Sequence, residues 1–132
     1  MSLRVDTENW IASAEYDLET ARHMLATRRY IYVVFFCHLA VEKMLKAHVA
    51  EVTQAVPLKT HDLGTLIRVS GLQLPQLHLA LIGTLNSASV PTRYPDDLQK
   101  LLAVYTPQTA QDFLKRTEEL MQWLRQHPNL QT

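Results

Sequence analysis

The sequence predicts an all-α protein, an antiparallel up-and-down bundle of about five helices. Three observations carry that prediction. Apolar residues recur three or four positions apart along most of the chain. The segments so marked are separated by residues that start or stop helices, among them Pro57, Gly71, Pro75, Pro107 and Pro128. The one stretch that would also serve as a strand continues for about 25 residues without Gly or Pro, far beyond strand length.

The first helix is expected from a cap at Asp6 to about residue 27, with Glu8 in its first turn, where negative charge suits the exposed amides. Trp10, Ala14, Leu18, Ala21 and Leu25 form its inward stripe. The second, from residue 29 to about 53, begins with an apolar run and continues with Ala40, Met44 and Ala47 beside Val41 and Leu45. Its first half is apolar almost all round, so it should be the central, most buried helix, closed by Pro57. Thr60 is expected to cap a third helix that Gly71 ends. Pro75 opens a fourth, with Leu77, Leu81, Ile82 and Leu85. From Asn86 onward Pro91 and Pro95 argue for a long irregular connection, interrupted by a short helix over residues 97–104. Thr106 caps the last helix, with Pro107 at its first position and Phe113, Leu114, Leu120, Met121 and Leu124 inward.

A chain of 132 residues should form one domain, with a core over about residues 6–126, and bury enough surface to need neither disulfide nor structural metal. Cys37 is the single cysteine, so it has no partner for a bridge or a zinc-binding pair, and the expected compartment is the cytoplasm. The 13 Lys and Arg balance 13 Asp and Glu, which argues against nucleic-acid binding by bulk charge. A local patch remains open, because residues 1–27 carry a balance of −3 and residues 28–68 one of +3. The first ten residues lack an apolar targeting core, and the longest apolar run, residues 30–37, is too short to span a bilayer, so no membrane is expected.

Two features do not follow from bundle packing. His38, Glu42 and Lys46 are spaced by four, which makes one polar column on an otherwise greasy helix. It reads either as a solvated edge, with a Glu42–Lys46 ion pair along the helix, or as a polar pocket between helices. Two such ligands one turn apart do not make a metal site, and none is expected. The second feature is Arg93, Tyr94 and Asp96, with Pro95 between, in the expected long connection. An Arg beside an aromatic and a carboxylate suits holding phosphate or stacking on a base. The alternative is a turn in which Asp96 caps the following helix and Tyr94 covers the core. His61, at the start of the third helix, reads as a local capping residue. His23, His48, His78 and His127 read as surface or boundary residues. There is no glycine-rich phosphate loop, nucleophile elbow, HExxH or paired-cysteine motif, so no cofactor is expected.

Four short patterns in order then resemble the HEPN domain (higher eukaryotes and prokaryotes nucleotide-binding). They are Ala14, Asp17, Leu18 and Ala21; Ala40, Glu42, Leu45, Lys46 and Ala47; the Thr-His-Asp-Leu run at 60–63; and the Arg-Tyr-Pro-Asp run at 93–96. The resemblance implies a helical bundle that commonly forms homodimers. It also implies, for small prokaryotic members, pairing with a minimal nucleotidyltransferase in a toxin and antitoxin-like system. Many members are metal-independent endoribonucleases whose active site is an Arg followed, after four to six residues, by a His. Here none of the eight Arg residues is followed by a His at that spacing. The catalytic residues are therefore unknown, and the reading leans away from an enzyme. The favoured expectation is a non-catalytic, dimeric module that binds nucleotide or RNA near Arg93. The alternatives are an endoribonuclease using Arg93 with His38 or His61 as base, and a structural helical adaptor.

Overall fold

The structure, a computed structural model, describes residues 2–132 and is all-helical, with six α-helices and a final 3₁₀ turn. Helix α1 (Val5–Ala26) runs up, and α2 (Tyr30–Thr53) returns antiparallel beside it. Helices α3 (Leu63–Ser70), α4 (Gln76–Arg93), α5 (Leu98–Val104) and α6 (Pro107–Gln126) follow, and Pro128–Leu130 forms the 3₁₀ turn. Every one of these elements packs against α2, as its nearly all-round apolar first half requires. Val33, Val34, Cys37, Ala40, Val41, Leu45 and Ala47 are all fully buried there.

The α1–α2 pair is close because α1 offers Ala14 and Ala21, both with no exposed surface, at its contact face. Asp17, from the same face, pairs with Lys43 Nζ of α2 at 2.7 Å, and that ammonium also donates to Ser13 Oγ at 2.8 Å. The backbone N–H of Arg4 donates to Glu51 Oε1 at 3.0 Å, tying the start of α1 to the end of α2. Such buried or half-buried polar ties fix the register of two helices that apolar contacts alone would let slide.

Several expected boundaries move. The N-cap of α1 is Arg4, not Asp6; Asp6 instead pairs with the Arg4 guanidinium at 2.8 Å and accepts from Thr7 N–H. Gln54, left-handed at φ 53°, ends α2 before Pro57 can. Asp62 rather than Thr60 precedes α3, and the Thr60 hydroxyl accepts from the Asp62 N–H. Gly71 ends α3 at φ 73°, where a side chain would be strained. Thr106 caps α6 by accepting from Thr109 N–H, as expected.

The largest departure is α4, which does not stop at Asn86 but continues through Pro91 to Arg93. Its inward stripe continues in small residues: Ala88, Ser89 and Thr92 are buried after Leu81, Ile82 and Leu85. Pro91 faces solvent, so its ring clashes with nothing beyond its own helix. The Thr92 hydroxyl donates to Ala88 C=O at 2.7 Å within the same turn. Among the described residues, no helix is long and apolar enough to cross a membrane.

Candidate functional site

The polar column of α2 is buried rather than a solvated edge. His38 is 1% exposed, Glu42 3% and Lys46 8%. Its spacing of four places the three side chains on one line of the helix, which the lead-in to α3 and the last turn of α4 both reach. Each brings one further group. His61 Nδ1 lies 2.8 Å from Glu42 Oε1, and Arg93 Nη2 lies 3.8 Å from the same oxygen. Lys46 Nζ donates to the other oxygen at 3.2 Å, while His38 Nδ1 stands 3.8 Å from Oε1, beyond hydrogen-bond reach. One carboxylate therefore faces two cations and two imidazoles.

The surroundings explain why the groups stay in place. The Arg93 guanidinium lies over the Phe35 ring, 4.8 Å from its centroid, and Lys46 lies 5.4 Å from that of Trp10. Phe35 and Trp10, which the periodicity alone marks as core or apolar-run residues, are thus the platforms of the two cations. His61 is held from below by a clamp between α3 and α4. The Asn86 carboxamide accepts from Leu63 N–H at 3.2 Å and donates to Asp62 Oδ1 at 2.8 Å. Asn86, where the apolar pattern falters, is therefore a fastening of the site.

The electrostatics leave donors in surplus. Burial lowers the His38 imidazole to about 4, with Arg93 and His61 pushing the same way and Glu42 opposing, so His38 is neutral at pH 7. Neither of its ring nitrogens has a hydrogen-bond partner among the described residues. The same holds for Nε and Nη2 of Arg93, both buried from solvent. The Arg93 guanidinium, fixed on an aromatic ring, therefore has hydrogen-bond donors to spare. Cys37 is no nucleophile here, since burial pushes its thiol up to about 12. Among the described residues, no three His, Cys, Asp or Glu side chains are grouped to hold a metal ion.

Tyr94 and Asp96 do not join this centre. Arg93 turns inward from the last turn of α4, whereas Tyr94 is 72% exposed and Asp96 lies open on the surface. They line a separate depression of about 280 Å³ with Val90, Pro91 and Lys100. The turn alternative fails as well: Asp97, not Asp96, caps α5 by accepting from Lys100 N–H, and Tyr94 covers no core. His61 is the group that local reading assigned to capping, and its partner lies 19 residues away. His48 is also misread as a boundary residue. It is fully buried, with Nε2 2.9 Å from Leu124 C=O and Nδ1 3.3 Å from Asn129 Nδ2, which ties the final turn to α2.

A model of the HEPN domain family matches residues 7–127. Among solved structures, an archaeal HEPN homologue superposes with a TM-score of 0.72 at 24% identity, over 95% of this chain and 97% of that one. The protein TT1696 from Thermus thermophilus superposes with a TM-score of 0.76 at 21% identity, over 90% of this chain and 95% of that one. No curated protein matches the chain. The family match spans the helices and the lead-in segment that assemble the Glu42 centre, and the chain belongs to the HEPN domain family.

Proposed function

We propose that this HEPN chain is a non-catalytic module that binds the phosphate of a nucleotide or RNA at the Glu42 centre. It works as a homodimer paired with a minimal nucleotidyltransferase, in a toxin and antitoxin-like two-component system. The observation that carries the binding reading is Arg93, whose buried Nε and Nη2 have no partner and whose approach to Glu42 stops at 3.8 Å. Once the packing over those buried N–H groups opens, they take two phosphate oxygens, with His61 and Lys46 close by as further donors. The pairing and the homodimer are carried over from the family resemblance. Val90, Tyr94 and Val104, each more than 60% exposed, offer an apolar patch that a second copy would cover.

The test is titration of parent protein and Arg93→Lys with a nucleotide and with a labelled single-stranded RNA. Arg93→Lys keeps the charge and loses the fork, so binding should weaken about tenfold with little change in thermal midpoint. A parent that binds neither probe refutes the reading. Sedimentation of the parent decides the dimer.

A second reading is favoured by the His61–Glu42 contact. A buried carboxylate that accepts from Nδ1–H fixes the tautomer and leaves Nε2 as the base, on a side chain that is 64% exposed. In that reading Nε2 takes the proton of an RNA 2′-hydroxyl and the freed oxygen attacks phosphorus. Arg93 holds the phosphoryl charge, and the 5′-oxygen leaves with a proton from water to give a cyclic phosphate end, while His61 releases its own proton to solvent. RNA cleavage by the parent in excess chelator, abolished in both His61→Ala and Arg93→Lys, would establish it over binding alone.

A further inference from the structure

Arg93 also lines a cleft of about 220 Å³ between the α1–α2 connection and α5. Arg28, Arg29 and Arg93 line it together with Tyr32, Leu98 and Leu102. No Asp or Glu lines it. Arg28 and Arg29 are both exposed and, among the described residues, neither lies within 4.0 Å of a carboxylate. Of the other six arginines, Arg4, Arg22, Arg93, Arg116 and Arg125 each have a carboxylate within that distance, and Arg68, away from the cleft, donates to Thr65 Oγ1 instead. In a chain with no net charge, two uncompensated guanidinium groups on adjacent residues concentrate positive potential at one point.

The walls select what such a charge would hold. Tyr32 is 50% exposed, Leu98 50% and Leu102 44%, which is apolar surface left open beside the arginines. A phosphate or sulfate alone would gain nothing from them, while a flat ring carrying a phosphate would use both parts. The volume is below the roughly 300–1,000 Å³ of a site for a drug-sized ligand, and it suits one base. Tyr32 also meets Phe35 edge to face, with ring centroids 6.5 Å apart, and Phe35 carries Arg93. The cleft is thus continuous with the Glu42 centre through Tyr32, Phe35 and Arg93.

We infer that this cleft is a nucleoside-phosphate subsite, which takes a base between Tyr32 and the two leucines and its flanking phosphate on Arg28 and Arg29. The inference rests on the binding reading above and extends it: the neighbouring phosphate is the one that Arg93 holds. Nucleoside phosphates reach such a cleft either as free nucleotides or as successive units of a single-stranded RNA. Three arginines lining one cleft carry more charge than a single phosphate and favour the strand, which supplies a phosphate on each side of the base.

The experiment measures binding of ATP and of a short labelled single-stranded RNA to four full-length proteins: parent, Arg28→Asn/Arg29→Gln, Tyr32→Ala and Tyr32→Phe. Asn is chosen at 28 because Arg28 sits at φ 65°, a conformation Asn tolerates. The double variant should bind RNA at least tenfold more weakly, with a salt dependence shallower by about 0.7 in log–log slope for the one phosphate that Arg28 and Arg29 share. Tyr32→Ala should lose roughly tenfold and Tyr32→Phe should bind like the parent. ATP bound as tightly as RNA, with the same losses, would assign the subsite to free nucleotides. If the double variant and Tyr32→Ala bind like the parent while Arg93→Lys is weakened, the subsite is refuted and the Arg93 reading stands. If the parent binds neither probe, both fall. Unchanged thermal midpoints in the variants exclude misfolding as the cause of a loss.

Discussion

Nδ1 of His61 lies 2.8 Å from Oε1 of Glu42, joining a residue that is largely exposed to one that is almost wholly buried. That contact makes Glu42 the point at which α2, the α3 lead-in and α4 share charge, since Arg93 approaches the same oxygen and Lys46 the other. Among the described residues the carboxylate is the only negative group of the cluster, and its removal leaves Lys46 and Arg93 without a counter-charge there. Breaking one side of a buried pair costs about 3–5 kcal/mol, because the remaining charge has lost its compensation. Glu42→Ala should therefore be destabilised on that order in urea unfolding. His61→Ala, which removes an exposed group, should change stability by less than about 1 kcal/mol. A loss below about 1 kcal/mol for Glu42→Ala would mean that water enters the cluster and solvates its cations.

The architecture is legible in the sequence because it depends on local periodicity. The α6 stripe of Phe113, Leu114, Leu120, Met121 and Leu124 is buried as spaced, and the Thr106 and Pro107 start signal operates as written. The site is less legible because it is made by convergence. The column His38, Glu42 and Lys46 is visible from spacing alone, yet whether it is wet or buried depends on which elements cover it. His61 and Arg93 reach Glu42 from 19 and 51 residues away, distances that no local pattern encodes. Adjacency along the chain misleads in the same way. Arg93, Tyr94 and Asp96 look like one group, but the chain leaves the helix at Tyr94, and successive side chains there point into different surroundings.

Two buried imidazoles give the fold a sensitivity to mild acid. Burial lowers both His38 and His48 from an ordinary value of 6.5 to about 4, with Glu42 opposing and Arg93 adding to the shift at His38. At His48, the Leu124 carbonyl opposes and His127 adds to the shift. Each folded value lies below the unfolded one, so the unfolded chain takes up the proton first. Their contribution is fully present above pH 6.5 and is lost as the pH falls from about 6.5 toward 4. Each group accounts for on the order of 3 kcal/mol across that window. Thermal midpoints measured from pH 7.5 to 4 should fall steeply below 6.5, and His48→Gln should flatten the fall by about half. A profile that stays level to pH 5 would show that both rings accept a proton while folded.

The passage of α4 through Pro91 sets where Arg93 stands, and it is open to direct test. Pro91 has no N–H to give to the carbonyl of Ser87, one turn earlier, and its ring faces solvent without core contacts. Against that cost, a proline restricts the unfolded chain and so recovers about 0.4–1 kcal/mol. The lost hydrogen bond and the ring's clash with the preceding turn weigh more, at about 3 kcal/mol in a helix interior and less near an end. Pro91→Ala should therefore stabilise the protein by roughly 1 kcal/mol or more in urea unfolding. It should leave RNA and nucleotide binding unchanged, because the inward stripe of Ala88, Ser89 and Thr92 already directs the last turn against α2. A more stable variant with weakened binding would mean that the ring sets the exit angle of the chain, and with it the reach of Arg93 to Phe35 and Glu42.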